Sequence, residues 1–98
     1  MKNTLNIRRL VLDVDKALQR PTLIELAKAI EPVKGIQGFN ITVTEIDTET
    51  LGMELTVEGE GINYEDLVQQ IESAGAVVHS IDEIACGSRL VEGVKRKR

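Results

Sequence analysis

The segment from Thr22 to Ile30, TLIELAKAI, and the segment from Asn63 to Ile71, NYEDLVQQI, share one design at an offset of 41 residues. In the first, Leu23, Leu26, Ala27 and Ile30 occupy the i, i+3, i+4 and i+7 positions of a helical face; in the second, Tyr64, Leu67, Val68 and Ile71 do the same. Each opens on a residue whose side chain can accept hydrogen bonds from the first turn. Thr22 is followed by Glu25 as a capping box, and Asn63 by Asp66. Pro32 ends the first helix and Gly75 stops the second. The same offset carries Leu10, Leu12 and Val14 onto Leu51, Met53 and Leu55, the alternating apolar positions of a strand ahead of each helix. A further strand follows each helix, ITVTEI from Ile41 and HSIDEI from His79. The chain is therefore two βαβ halves.

A right-handed βαβ unit leaves room between its strands for a strand of the other half. Interleaving the halves predicts a four-stranded antiparallel sheet of order 4-1-3-2 with both helices on one face, the ferredoxin-like α+β sandwich. A short acidic hairpin at Asp47 to Thr50 joins strands 2 and 3. The 98 residues suffice for one core. The expected organisation is an N-terminal extension over residues 1–6, the domain over residues 7–87 and a basic tail over residues 88–98.

Strict alternation sends Leu10, Leu12, Val14, Ile41, Val43, Leu51, Met53, Leu55, Val57, Val77 and Ile81 towards the helices. Arg9, Val11, Asp13, Asn40, Thr42, Thr44, Glu54, Thr56, Glu58, Ser80 and Asp82 go to the open face, which is polar and acidic. That face excludes several functions. RNA-binding versions of this fold stack bases on aromatic side chains of the middle strands, where this chain has Glu54, Thr56 and Glu58; its two aromatics are Phe39 and Tyr64. Carboxylates repel phosphates, and the net charge is −4, so nucleic acid is not an expected partner of the folded body. A heavy-metal carrier needs paired thiolates, and there is one cysteine. An acylphosphatase-like loop needs glycine to admit an anion close to the backbone; the segment from Asp15 to Thr22 has Arg20 but no glycine.

The run GAVVHSIDEIACG contains the chain's one histidine and one cysteine. Alternation aligns His79 with Val77 and Ile81, opposite to Asp82, so the reading is a structural histidine at the edge of the core. Cys86 is read as a small buried hydrophobe. Carboxylates gather instead at one end of the sheet, where Asp13 and Asp15 of strand 1 emerge with Glu45, Asp47 and Glu49 of strand 2 and its hairpin. Oxygen donors without thiolates suit Ca2+ or Mg2+, which makes these five residues the candidate metal ligands, although no EF-hand spacing is present.

No apolar run approaches the ~20 residues of a membrane span, and charge interrupts the first residues before a signal-peptide core forms, so the expected location is the cytoplasm. The basic end Lys95–Arg98 reads as a solvated terminus.

LVLDV, ELAKAI, GFNITVTEIDTET, the run GINYEDLVQQIESAGAVVHSIDEI and Gly87 together resemble the archaeal domain of unknown function 211 family. The resemblance covers about Ile7 to Gly87 and leaves RLVEGVKRKR outside. It implies a ferredoxin-like fold assembled into closed rings of six or seven subunits in an archaeal cytoplasm, with no established activity and no catalytic residues to carry over. QRPTLIELAKAI also resembles the strand-to-helix passage of the amino-acid-sensing ACT domains, with Thr22 in the place of their glycine. The functional expectation is a non-enzymatic oligomeric assembly or regulatory module. An ACT-like small-molecule sensor, and an enzyme with its site between subunits, are the alternatives. Strand 2 is an edge whose NITVT carries neither charge nor proline, so a second copy is expected to cover it at Asn40, Thr42 and Thr44.

Overall fold

The computed structural model describes residues 4–94. Its elements are β1 (Ile7–Ala17), α1 (Leu23–Ile30), β2 (Ile36–Ile46), β3 (Thr50–Gly59), α2 (Tyr64–Ala74) and β4 (Val77–Cys86). The sheet order is β2-β3-β1-β4, with every neighbouring pair antiparallel, so the interleaved ferredoxin-like arrangement is the one found.

Local chemistry sets the helix ends as the sequence predicts. The Thr22 hydroxyl accepts from the Glu25 amide at 3.1 Å while the Glu25 carboxylate accepts from the Thr22 amide at 2.9 Å. The Asn63 side chain accepts from the Asp66 amide at 3.0 Å, and Gly75 ends α2 with φ +106°, a conformation that a Cβ would strain.

The core lies between the sheet and the helices. Leu10, Leu12 and Val14 of β1 stand opposite Val57, Leu55 and Met53 of β3, all buried beneath Leu26, Ile30, Leu67 and Ile71. Coverage thins towards the edge at β2. Phe39 and Ile41 are half-buried, whereas Val43, expected in the core, is 37% exposed and Ile46 is 71% exposed. The helix side also holds Lys16, 6% exposed, whose Nζ donates to the carbonyls of Ala17 and Leu18 at 3.0 Å each. A buried ammonium needs such acceptors, and it finds them in the turn leaving its own strand.

Two loops cross closely at the start of α2. The Glu60 amide donates to the Gly35 carbonyl at 2.8 Å and the Asn63 amide to the Lys34 carbonyl at 3.1 Å. A Cβ at Gly59 would overlap the Gly35 carbonyl oxygen, so only glycine fits there. No helix among the described residues is long and apolar enough to cross a membrane.

Candidate functional site

The run around His79 is corrected by the register of β4. Val14 is opposite Val78, Asp13 opposite Ser80, Leu12 opposite Ile81, Val11 opposite Glu83 and Leu10 opposite Ile84. His79 and Asp82 are thus extra residues, each making a bulge. The insertions turn the strand's period from two to three, and Val78, Ile81 and Ile84 share the helix side. Val77 pairs with Asp15 on the open face and is 57% exposed, so it is not a core residue. His79 is not at the core's edge either: its side chain is 67% exposed, with Nδ1 3.9 Å from the Asp15 carboxylate. Asp82 accepts from the Ser80 hydroxyl at 2.8 Å, which draws it to the same face as His79 rather than the opposite one. Cys86, expected to be buried, is exposed.

The candidate metal ligands are spread along the sheet. Asp13 is opposite Glu54 and Ser80 in mid-sheet. Asp15 and Glu45 flank Gly52, where an added Cβ would lie 3.5 Å from the Asp15 Oδ1 and 3.5 Å from the Glu45 Cβ. Asp47 is occupied with the hairpin: its carboxylate accepts from the Thr48 amide at 2.9 Å, and its own amide donates to the Thr50 carbonyl at 2.9 Å. At Glu49 the backbone carbonyl accepts from the Leu18 amide at 3.2 Å. Among the described residues no three His, Cys, Asp or Glu side chains come together as a metal-binding group. Asn40 and Thr42, opposite Thr56 and Glu54, are exposed, and the Thr42 hydroxyl donates to the Asn40 side chain. Thr44 is the extra residue of a bulge between Val43 and Glu45.

The main polar cluster of the open face escapes a strand-by-strand reading. Arg9 Nε donates to Glu58 at 2.8 Å and Nη1 to Glu83 at 3.2 Å, while Nη1 and Nη2 reach both oxygens of Glu92 at 2.9 and 3.1 Å. Hydrogen bonding and charge from Arg9 hold the Glu92 carboxyl below its usual range, and the three carboxylates, Glu92 foremost, hold the guanidinium pKa above its own. Arg8, at a bulge between Ile7 and Arg9, donates to the Gly59 carbonyl at 3.0 Å and to the Ser88 carbonyl at 2.9 Å. The tandem Arg8-Arg9 was the visible signal; Glu92, 83 residues from Arg9, gave none.

On the helix side, a groove of about 660 Å3 runs between the start of α2 and β4, with Leu5, Ile7, Ile62, Ile81 and Ile84 on its walls and Lys34 at its rim. A shallower hollow of about 340 Å3 lies on β2 and β3 around Phe39, Thr56 and Glu58. At the other end of the molecule, the capping box at Thr22 and Glu25 uses donors that an ACT-type effector carboxylate would require.

Over residues 8–98 the sequence matches the model of the DUF211 family, described as uncharacterized ArCR. The chain belongs to this family. It is also 39% identical over 89 residues to the uncharacterized protein MJ0319 of Methanocaldococcus jannaschii, an alignment covering 91% of this chain and 91% of that protein. The family match continues past Gly87 through the basic end, so RLVEGVKRKR lies inside the similarity and not outside it. Its last part, residues 95–98, which the sequence reads as a solvated terminus, lies outside the described residues.

Proposed function

We propose that this domain is a non-enzymatic assembly module that builds a closed homo-oligomer by setting the β2 edge of one copy against the β4 edge of the next. The observation that carries this reading is the pair of free edges. β2 and β4 are 11 and 10 residues long, lie at opposite ends of the sheet and, from the pairing of the intervening strands, run antiparallel to each other. Set edge to edge, they continue the sheet with its existing polarity. Both edges also expose aliphatic side chains on the helix side, Val43 and Ile46 on one and Ile81 and Ile84 on the other, with the groove beside the second. A long edge of this kind needs cover. Two different edges in contact make a head-to-tail interface, which propagates until the rotation closes a ring; the family resemblance favours six or seven copies.

Size exclusion coupled to light scattering tests the reading. Chains of 10.8 kDa should elute at a mass several times larger. Val43→Lys on β2 and Ile81→Lys on β4 should each break the ring. A wild-type protein that remains monomeric at micromolar concentration would overturn it.

A further inference from the structure

The segment that leaves β4 turns back over the open face instead of running on from the sheet. Gly87 makes the turn with φ +111°, and its amide donates to the Asn6 carbonyl at 2.8 Å. Asn6 and Arg8 side chains donate to the Gly87 and Ser88 carbonyls, which fixes this end as a hinge. Among the described residues, no backbone-to-backbone hydrogen bond holds the chain from Ser88 to Val94. What holds its far end is the paired contact of Glu92 with Arg9.

Two residues of the open face are hidden without belonging to the core cluster. Val11 and Ala85 are each 8% exposed, yet Val11 alternates with the core positions of β1 and Ala85 stands opposite Arg9. Both therefore lie on the face away from the helices, beside the guanidinium that Glu92 grips.

We propose that Gly87–Val94 is a salt-releasable strap, hinged by Arg8 and latched by Glu92 on Arg9, that closes over the Val11 and Ala85 patch of the open face. The groups facing Arg9 divide into fixed and conditional ones. Glu58 on β3 and Glu83 on β4 sit on the two strands that flank β1, so the sheet itself keeps them beside Arg9. Glu92 alone arrives on a segment outside the sheet. One guanidinium faces three carboxylates, so the two fixed acids oppose the third. The Glu92 side chain is 69% exposed, and an ion pair so open to water is weakened by salt. A bidentate pair supplies direction, while its exposure keeps the latch weak enough to open.

The test is trypsin cleavage after Arg89 in the full chain, followed by mass spectrometry of the released C-terminal fragment. Cleavage requires several residues of extended, accessible chain and so follows the open population when opening is fast. Rates are normalised to those of free strap peptides, with Glu or Gln at position 92, under the same conditions. Glu92→Gln should cut several-fold faster than wild type at low salt. Arg9→Lys, which leaves the strap sequence untouched but cannot form the fork, should also accelerate cutting, with circular dichroism confirming the fold. At about 1 M salt, where the screening length is ~3 Å, wild type and Glu92→Gln should converge. Equal rates for wild type and both variants at low salt would overturn the latch, and a difference that persists undiminished at high salt would overturn its release by screening.

Discussion

Asp13 and Glu54 stand directly opposite each other at the centre of the β1–β3 pair, and they are also equivalent positions of the internal repeat, since 54 − 13 = 41. The pairing register and the repeat offset meet at this one pair, so the approximate two-fold relating the halves passes through it. Two carboxylates in facing positions are the consequence. Like charges directly opposite on a sheet are destabilising by roughly 0.2–1 kcal/mol. Glu54→Gln is expected to raise the unfolding free energy at neutral pH and low salt by an amount in that range, read from denaturant titration. Asp13→Asn should do the same, and the double variant should gain less than the sum, because the first substitution already removes the repulsion.

His79 is expected to be dispensable for stability. Its imidazole is exposed and its nearest charged partner, Asp15, is 3.9 Å away. His79→Ala should change unfolding free energy by no more than about 0.5 kcal/mol, as for an ordinary surface position. A larger loss in chemical denaturation would restore the core-edge role that strict alternation assigns to it.

The contrast between the two readings of His79 shows what was legible. Both helices, their caps, the strand order and the faces of β1 and β3 follow from periodicity, because those two strands pair without interruption from Arg9 to Ala17. β4 does not follow. The adjacent Val77 and Val78 give no phase, and each bulge adds a residue that shifts everything after it. A spacing of three, Val78, Ile81 and Ile84, was present in the sequence but matches neither the strand period nor the helix period. Strand direction groups the acids of the predicted cation site, yet Asp13 lies in mid-sheet opposite Glu54 and Ser80, and among the described residues no three such side chains come together. Direction alone, however, cannot say that Asp47 turns to its own hairpin amide. The Arg9 cluster joins four separate segments, and no local pattern records such a meeting.

The crossing of the loops at Gly35 and Gly59 yields a steric prediction. Gly59→Ala would drive a methyl group into the Gly35 carbonyl, backbone against backbone, where no side chain can yield. Loss of about 3 kcal/mol or more is expected from thermal or denaturant unfolding. Nothing lies within 4 Å of a Cβ at Gly61, whose φ is +60°, so Gly61→Asn should cost less than about 1 kcal/mol.

Acid should selectively remove whatever Glu92 contributes. Arg9 lowers the Glu92 pKa in the folded chain below its ordinary value of 4.5. A depressed carboxyl pKa gives stability that is complete above the unfolded value and is lost as pH falls through the folded one. The margin of wild type over Glu92→Gln in urea unfolding should therefore hold constant through neutral pH and shrink below the ordinary carboxylate range. A margin that grows on acidification would contradict the ion pair.

Mixing two broken edges gives the sharpest test of head-to-tail assembly. The Val43→Lys chain keeps an intact β4 edge, and the Ile81→Lys chain keeps an intact β2 edge. Each should be monomeric alone, since every contact in the ring needs one edge of each kind. Combined, the intact β4 of the first can take the intact β2 of the second, and both outer ends of that pair carry lysine. Growth then stops at two chains. Light scattering of the mixture should show a heterodimer, and native mass spectrometry should show one copy of each variant. An isologous contact behaves differently: β2 against β2 would let Ile81→Lys dimerise by itself and leave Val43→Lys monomeric in every mixture, while β4 against β4 would do the reverse.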